Sequence, residues 1–152
     1  MDDKQQPIKP SQIRSSAMSI LAGREYLRCQ LAAKLAKKFD NSELINEELN
    51  KLALENLQSD TRFVEAFIRS RISRGQGELR IRLDLQQRGA NKALISQLLN
   101  EVDIDWYELA QKTAVSKFGS NSPVDDKEKA KRMRFLQYRG FSFDQISHAL
   151  FD

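Results

Sequence analysis

The stretch GQGELRIRLDLQQRG, Gly75 to Gly89, decides the fold class. Leu79, Ile81, Leu83 and Leu85 alternate with charged residues, and strict alternation is the usual mark of a half-buried strand. As a strand it would put a sheet in the molecule. As a helix, at about 100° per residue, it places Leu79 and Leu83 on one face and Ile81 and Leu85 on the opposite one.

The choice is made by a repeat. LAKKFDNSELINEEL from Leu35, LQQRGANKALISQLL from Leu85 and LQYRGFSFDQISHAL from Leu136 align without gaps, 50 and then 51 residues apart. Each leading Leu is followed at four residues by Phe39, Gly89 or Gly140. At ten residues comes Ile45, Ile95 or Ile146, and at fourteen Leu49, Leu99 or Leu150. Matching positions at such a period are the signature of a structural repeat. Inside each copy the local signals are helical. Gly89 and Gly140 suit the residue just past a helix C-terminus, and Ser42, Asn91 and Ser142 are good N-cap types. The apolar residues that follow recur at helical spacing. A third helix precedes each pair: SQIRSSAMSILAGR with Ala17, Ile20 and Leu21, SDTRFVEAFIRSRIS with Phe63, Val64, Phe67 and Ile68, and DIDWYELAQKTAVSKFG with Trp106, Leu109, Ala110, Thr113 and Phe118. The repeat sets the opening stretch opposite CQLAAKLAKKF and AKRMRFLQYRG, neither of which alternates. The stretch is therefore read as a helix, with two apolar faces because the middle unit of a row has neighbours on both sides.

The expected fold is all-α: three tandem three-helix repeats in an elongated, curved array. Residues 1–12 form a flexible N-terminal segment, and the repeats cover 13–57, 58–102 and 103–152. Composition agrees, since three prolines and six glycines in 152 residues are too few for the turns of an all-β fold. No apolar run approaches the roughly 20 residues that span a bilayer. The polar start MDDKQQPIKPSQ is not a secretory signal, and a single cysteine excludes an internal disulfide. A cytoplasmic monomer is expected.

Catalysis has little to stand on. His148 is the only histidine and Cys29 the only cysteine, so no His/Cys metal cluster forms within the chain and no cofactor is expected. His148 reads as an exposed or half-buried structural residue. Cys29, beside Leu31 and Ala32, reads as a small packing residue. The GQG of residues 75–77 lacks the Lys-Ser/Thr of a P-loop and reads as a tight connection between helices.

Charge is more informative. The net charge is +4, but Arg62 to Lys92 holds eight basic residues against three acids, and Lys127 to Arg139 holds six against Glu128 alone. Acidic patches, SELINEELNKLALENLQSD and EVDIDWYE, precede the first region and separate it from the second. Such segregation suits a polyanion on some surfaces and a protein on others. Lys127, Lys131, Arg134 and Tyr138 fall at i, i+4, i+7 and i+11 of one helix face, apart from Ala130, Met133 and Leu136. A basic stripe ending in an aromatic ring can neutralise phosphates and stack a base. The competing reading is solubility, with the stripe paired to Asp125 or an acidic partner. Arg62, Arg69, Arg80, Arg82 and Arg88 are further binding candidates, although Glu65 and Arg69 also make an i,i+4 pair. Arg71 projects into an apolar arc and is expected to satisfy a buried acid or a helix end.

Five segments in order, REYLRCQL, SDTRFVEAFIRSR, GQGELRIRLDLQQRGA, VDIDWYELAQKTAVSKFG and RFLQYRGFSFDQI, resemble the RecX regulatory proteins, the bacterial modulators of the RecA recombinase. The resemblance runs from about Arg24 to the C-terminus. It departs at Leu27, Gln30 and Ala90, where a small polar residue, an acid and a larger aliphatic are common. It implies tandem three-helix units that bind the RecA–single-stranded DNA filament in its groove and inhibit strand exchange, ATP hydrolysis and co-protease activity. It also implies weak binding to single- and double-stranded DNA, and brings no catalytic residues. A free-standing helical DNA-binding protein is the main alternative, and it would show sequence preference and dimerise. A purely protein-binding helical solenoid is another.

Overall fold

A computed structural model of the chain describes residues 7–151, and every described element is a helix. In chain order these are α1 (Pro10–Leu21), α2 (Arg28–Ala36), α3 (Ser42–Leu54), α4 (Asp60–Ser73), α5 (Glu78–Gln87), α6 (Lys92–Glu101), α7 (Trp106–Phe118), α8 (Asp126–Tyr138) and α9 (Phe143–Phe151). The flexible segment expected over residues 1–12 lies partly outside the described residues. Its last three residues are already helical, because Pro10 opens α1 with the fixed φ that suits a first helical position. Two compact units result, the first ending at Phe63 and the second beginning at Val64.

The repeat positions are core positions. Leu35, Leu85 and Leu136 are fully buried, as are Ile45, Ile95 and Ile146 to within 5%. In the first unit these residues join Ile13, Ala17, Leu31, Leu49 and Leu52 in one cluster. In the third repeat Leu136 and Ile146 pack with Ala110, Ala114 and Phe141. Each such aliphatic contributes about 1.5–3 kcal/mol on leaving water.

Helix ends follow the chemistry read from the sequence, with one displacement. Asn91 and Ser142 cap α6 and α9, accepting from the N–H groups of Leu94 (3.0 Å) and Gln145 (3.2 Å). In the first repeat the cap is Asn41 instead of Ser42, accepting from Leu44 N–H at 3.1 Å. The α4 cap is Ser59, whose hydroxyl accepts from Arg62 N–H at 3.1 Å. Asp60, one residue on, turns its carboxylate to Arg28 N–H at 2.8 Å and so caps α2 across the first unit. Gly89 and Gly140 carry φ of 96° and 98°. Each closes its helix with paired bonds, Gly89 N–H to Gln86 O and Ala90 N–H to Leu85 O, then Gly140 N–H to Gln137 O and Phe141 N–H to Leu136 O.

The opening stretch is helix α5, as the repeat required, but the reason differs from the expected one. Ile81 and Leu85 are fully buried, whereas Leu79 and Leu83 are 56% and 49% exposed. Among the described residues one face packs and the other stands about half open to solvent. Cys29 also departs from expectation, being exposed on α2 instead of packed.

The second and third repeats share the second unit through an end-to-end contact. Gly77 N–H donates to Arg139 O at 2.8 Å and Leu79 N–H to Gly140 O at 3.1 Å. The orphan donors at the start of α5 thus meet the orphan carbonyls at the end of α8. A Cβ on Gly77 would lie 2.5 Å from Gly140 O, and one on Gly140 would lie 2.3 Å from Arg80 Cβ. Glycine is needed at both positions for the backbones to approach this closely. The Gly75–Gly77 connection is thus a packing surface as well as a turn.

Candidate nucleic-acid interface

Helix α8 is set by Asp125, whose carboxylate accepts from Glu128 N–H at 2.8 Å. Leu136 is fully buried, with Met133 half-buried against the same core. That orientation leaves Lys127, Lys131 and Arg134 exposed. The three cations line one cleft of about 440 Å³ with Phe118 and Val124. Among the described residues none of the three makes an ion pair. The nearby acids are engaged otherwise. Asp125 caps the helix, and Glu128 pairs with Arg132, which is only 6% exposed and also donates to Asn121 O at 2.8 Å. The pairing of the stripe with Asp125, the competing reading from sequence, is not made.

Tyr138 parts from the other three. It is 71% exposed and stands at the far end of α8, where the Arg80 guanidinium lies 4.9 Å over its ring. Arg80 in turn bonds Asp84 through Nε at 3.2 Å, and this bond chiefly raises its pKa, with a further contribution from Tyr138. Asp84 is buried and also takes Arg71 Nη1 at 3.0 Å. Arg71 therefore satisfies a buried acid, as its position in the apolar arc implied. Burial is the main cause that lowers its pKa, followed by the Arg88 charge, while Asp84 opposes them. The two arginines on one carboxylate shift oppositely because Arg71 is the more buried and faces another cation. Both remain charged at neutral pH, because a guanidinium is effectively always protonated.

The remaining candidates divide. Arg62 bonds Glu25 at 2.8 Å and Asn56 at 2.9 Å. Arg82 donates to Ser96 at 2.8 Å and pairs with Glu78 at 3.7 Å. Arg88 donates to Asp84 O at 3.3 Å and lies 4.8 Å from the Phe67 ring centroid. All three are thus engaged within the chain. Arg69 is exposed and makes no ion pair among the described residues, sharing a small cleft with Glu65, Leu98 and Glu101.

A second cationic cleft was not read from the sequence. Arg74 at the end of α4, Lys112 and Lys117 on α7 and Arg139 after α8 line it together. They come from three segments up to 65 residues apart, joined where Arg139 Nη1 donates to Arg74 O at 2.6 Å. No spacing pattern along the chain links them, so only the packing brings them together.

Among the described residues no group of His, Cys, Asp and Glu is arranged to hold a metal ion, and no helix is long and apolar enough to cross a membrane. His148 is half-buried on α9 with its ring edge-on to Tyr107 at 5.6 Å.

Nine helices in tandem three-helix units define, over the described residues, an all-α repeat protein. Family models for RecX match here, the second three-helix domain over residues 59–99 and the third over residues 103–150. The regulatory protein RecX of Pseudomonas putida (strain GB-1) is 43% identical over 141 residues, covering 93% of this chain and 90% of that protein. That of Halorhodospira halophila is 39% identical over 137 residues, covering 90% and 85%. The crystal structure of RecX from Lactobacillus salivarius superposes with a TM-score of 0.79 at 21% identity, over 92% of this chain and 93% of that one, a likeness of fold. The chain belongs to the RecX family of regulatory proteins. Of the departures from its pattern, Gln30 accepts from Leu27 N–H at 3.1 Å, as an acid there would.

Proposed function

We propose that this chain binds the RecA–single-stranded DNA filament along its groove and inhibits recombinase, ATPase and co-protease activities. Family membership over nine-tenths of the chain supports the choice of partner. The observation that carries the mode of binding is the α8 cleft, where Lys127, Lys131 and Arg134 face solvent and make no ion pair among the described residues, the lining Asp125 and Glu128 being engaged by the helix cap and by Arg132. In this reading three domains, residues 13–57, 58–102 and 103–152, make successive weak contacts along one filament. Such contacts reinforce one another through effective concentration. Bridging several protomers impedes the conformational cycle that strand exchange and ATP hydrolysis require. The chain acts as a cytoplasmic monomer without a cofactor, and its affinity for free DNA is weak.

The test is ATP hydrolysis by the cognate RecA on single-stranded DNA, with this protein titrated in. Inhibition by the parent protein, weakened at least tenfold by Lys131→Glu with Arg134→Glu at unchanged helicity, supports the reading. Unchanged inhibition by the double variant removes the α8 cleft from it. A parent protein without effect on its own organism's RecA overturns it.

A further inference from the structure

We infer that the cleft between α4, α7 and α8 is a second phosphate-binding site, and that it continues the α8 cleft into one track for a single strand of nucleic acid. The inference rests on the filament-binding reading and names where the strand runs. Four of the residues lining this cleft of about 390 Å³ are cationic and none is acidic. Lys112 meets Glu108 at 2.9 Å on the exposed side of α7, and Arg74, Lys117 and Arg139 make no ion pair with a carboxylate among the described residues. Like charges gathered in a concavity repel one another, and a bound anion relieves that repulsion. Arg139 is oriented in advance by its bond to Arg74 O, so little is lost in ordering it on a ligand.

The floor is suited to a nucleotide. Ile72, Leu109 and Phe135 supply apolar surface, and the charges of Lys117 and Arg139 lie 5.5 and 5.0 Å from the Phe135 ring centroid. Phe135 meets Phe118 edge-to-face at 5.2 Å, and Phe118 lines the other cleft with Lys127, Lys131 and Arg134. The aromatic pair is thus the divide between two cationic clefts. Lys127 to Arg139 along α8 spans about 18 Å at the rise of a helix, room for several nucleotides of an extended strand. Cations in concavities around an aromatic floor fit a flexible strand, whereas duplex readers project a helix into a groove.

The experiment uses the full chain without RecA and measures fluorescence anisotropy of a labelled thymidine oligonucleotide across a salt series. Each phosphate contact on a single strand contributes about 0.7 to the slope of log affinity against log salt. Arg74→Gln with Lys117→Gln, both exposed, is expected to flatten the slope by about 1.4, and Lys127→Gln with Lys131→Gln to do the same. Parental circular dichroism confirms the fold of each. Flattening by both pairs supports the track. Flattening by the α8 pair alone overturns it and leaves the α8 cleft in place. An unchanged slope with lost binding to RecA filaments overturns it too, assigning the second cleft to an acidic protein segment. RecA inhibition measured separately shows whether the functional reading survives.

Discussion

Gly77→Ala tests the junction that joins the second and third repeats. Gly77 has φ −85° and ψ 169°, an extended conformation that alanine adopts freely, so the local backbone gives no reason for harm. Alanine there should even stabilise slightly, by reducing the freedom of the unfolded chain. The tertiary structure predicts the reverse, because the new Cβ would fall 2.5 Å from Gly140 O and 2.8 Å from Phe141 N. These are backbone atoms that cannot rotate away. The start of α5 must withdraw from the end of α8, weakening two hydrogen bonds of 2.8 and 3.1 Å. At about 1 kcal/mol each, with about 1–3 kcal/mol of overpacking, the net loss is about 3 kcal/mol. For a chain of this length that lowers the melting temperature by about 6–12 °C. Urea unfolding followed by circular dichroism reads the loss directly. Gly23→Ala is the control, since its Cβ would meet Ile20 O at an ordinary 3.6 Å and should leave stability unchanged or slightly higher. A Gly77→Ala protein within 0.5 kcal/mol of the parent would refute the close approach of α5 and α8.

Three further outcomes follow from particular contacts. Leu79→Gln with Leu83→Gln should leave the urea midpoint nearly unmoved, because both side chains face solvent, while Ile81→Ala on the buried face should cost about 3 kcal/mol. Asp84→Ala removes the carboxylate shared by Arg71 and Arg80 and should cost about 3 kcal/mol by leaving a half-buried guanidinium unpaired; Asp84→Ala with Arg71→Met should recover part of that in a double-mutant cycle. Arg14 holds the Glu55 carboxyl below its usual value of 4.5 through a side-chain hydrogen bond. A depressed folded-state pKa stabilises the fold above the unfolded value, and that contribution disappears as pH falls through the folded one. Urea midpoints of the parent and Glu55→Gln should therefore differ slightly at neutral pH and converge in acid, and a gap that widens in acid would contradict the pairing.

The α8 cleft shows how far a single-helix pattern reaches. Lys127, Lys131 and Arg134 share a face by helical spacing alone, and the packing of Leu136 turns that face outward. Tyr138 fits the same periodicity, yet it pairs with Arg80 on another helix. Arg62 and Arg82 are likewise basic and helical, and nothing in their spacing reveals Glu25 or Ser96, 37 and 14 residues away. Charge is visible along a chain. Whether it is compensated depends on residues distant in sequence.

The helices, their order, the repeat and its recurring core positions are legible along the chain. These rest on local signals, 3.6-residue periodicity, caps such as Asn91 and glycines such as Gly89, recurring at a fixed interval. Tertiary structure alone decided that Leu79 and Leu83 face water, that Asp60 caps a neighbouring helix, and that Gly77 seats α5 against Gly140. It also gathered Arg74, Lys112, Lys117 and Arg139 into one cleft. Local signals act over a few residues, whereas exposure, close backbone approach and charge compensation depend on which distant surfaces meet.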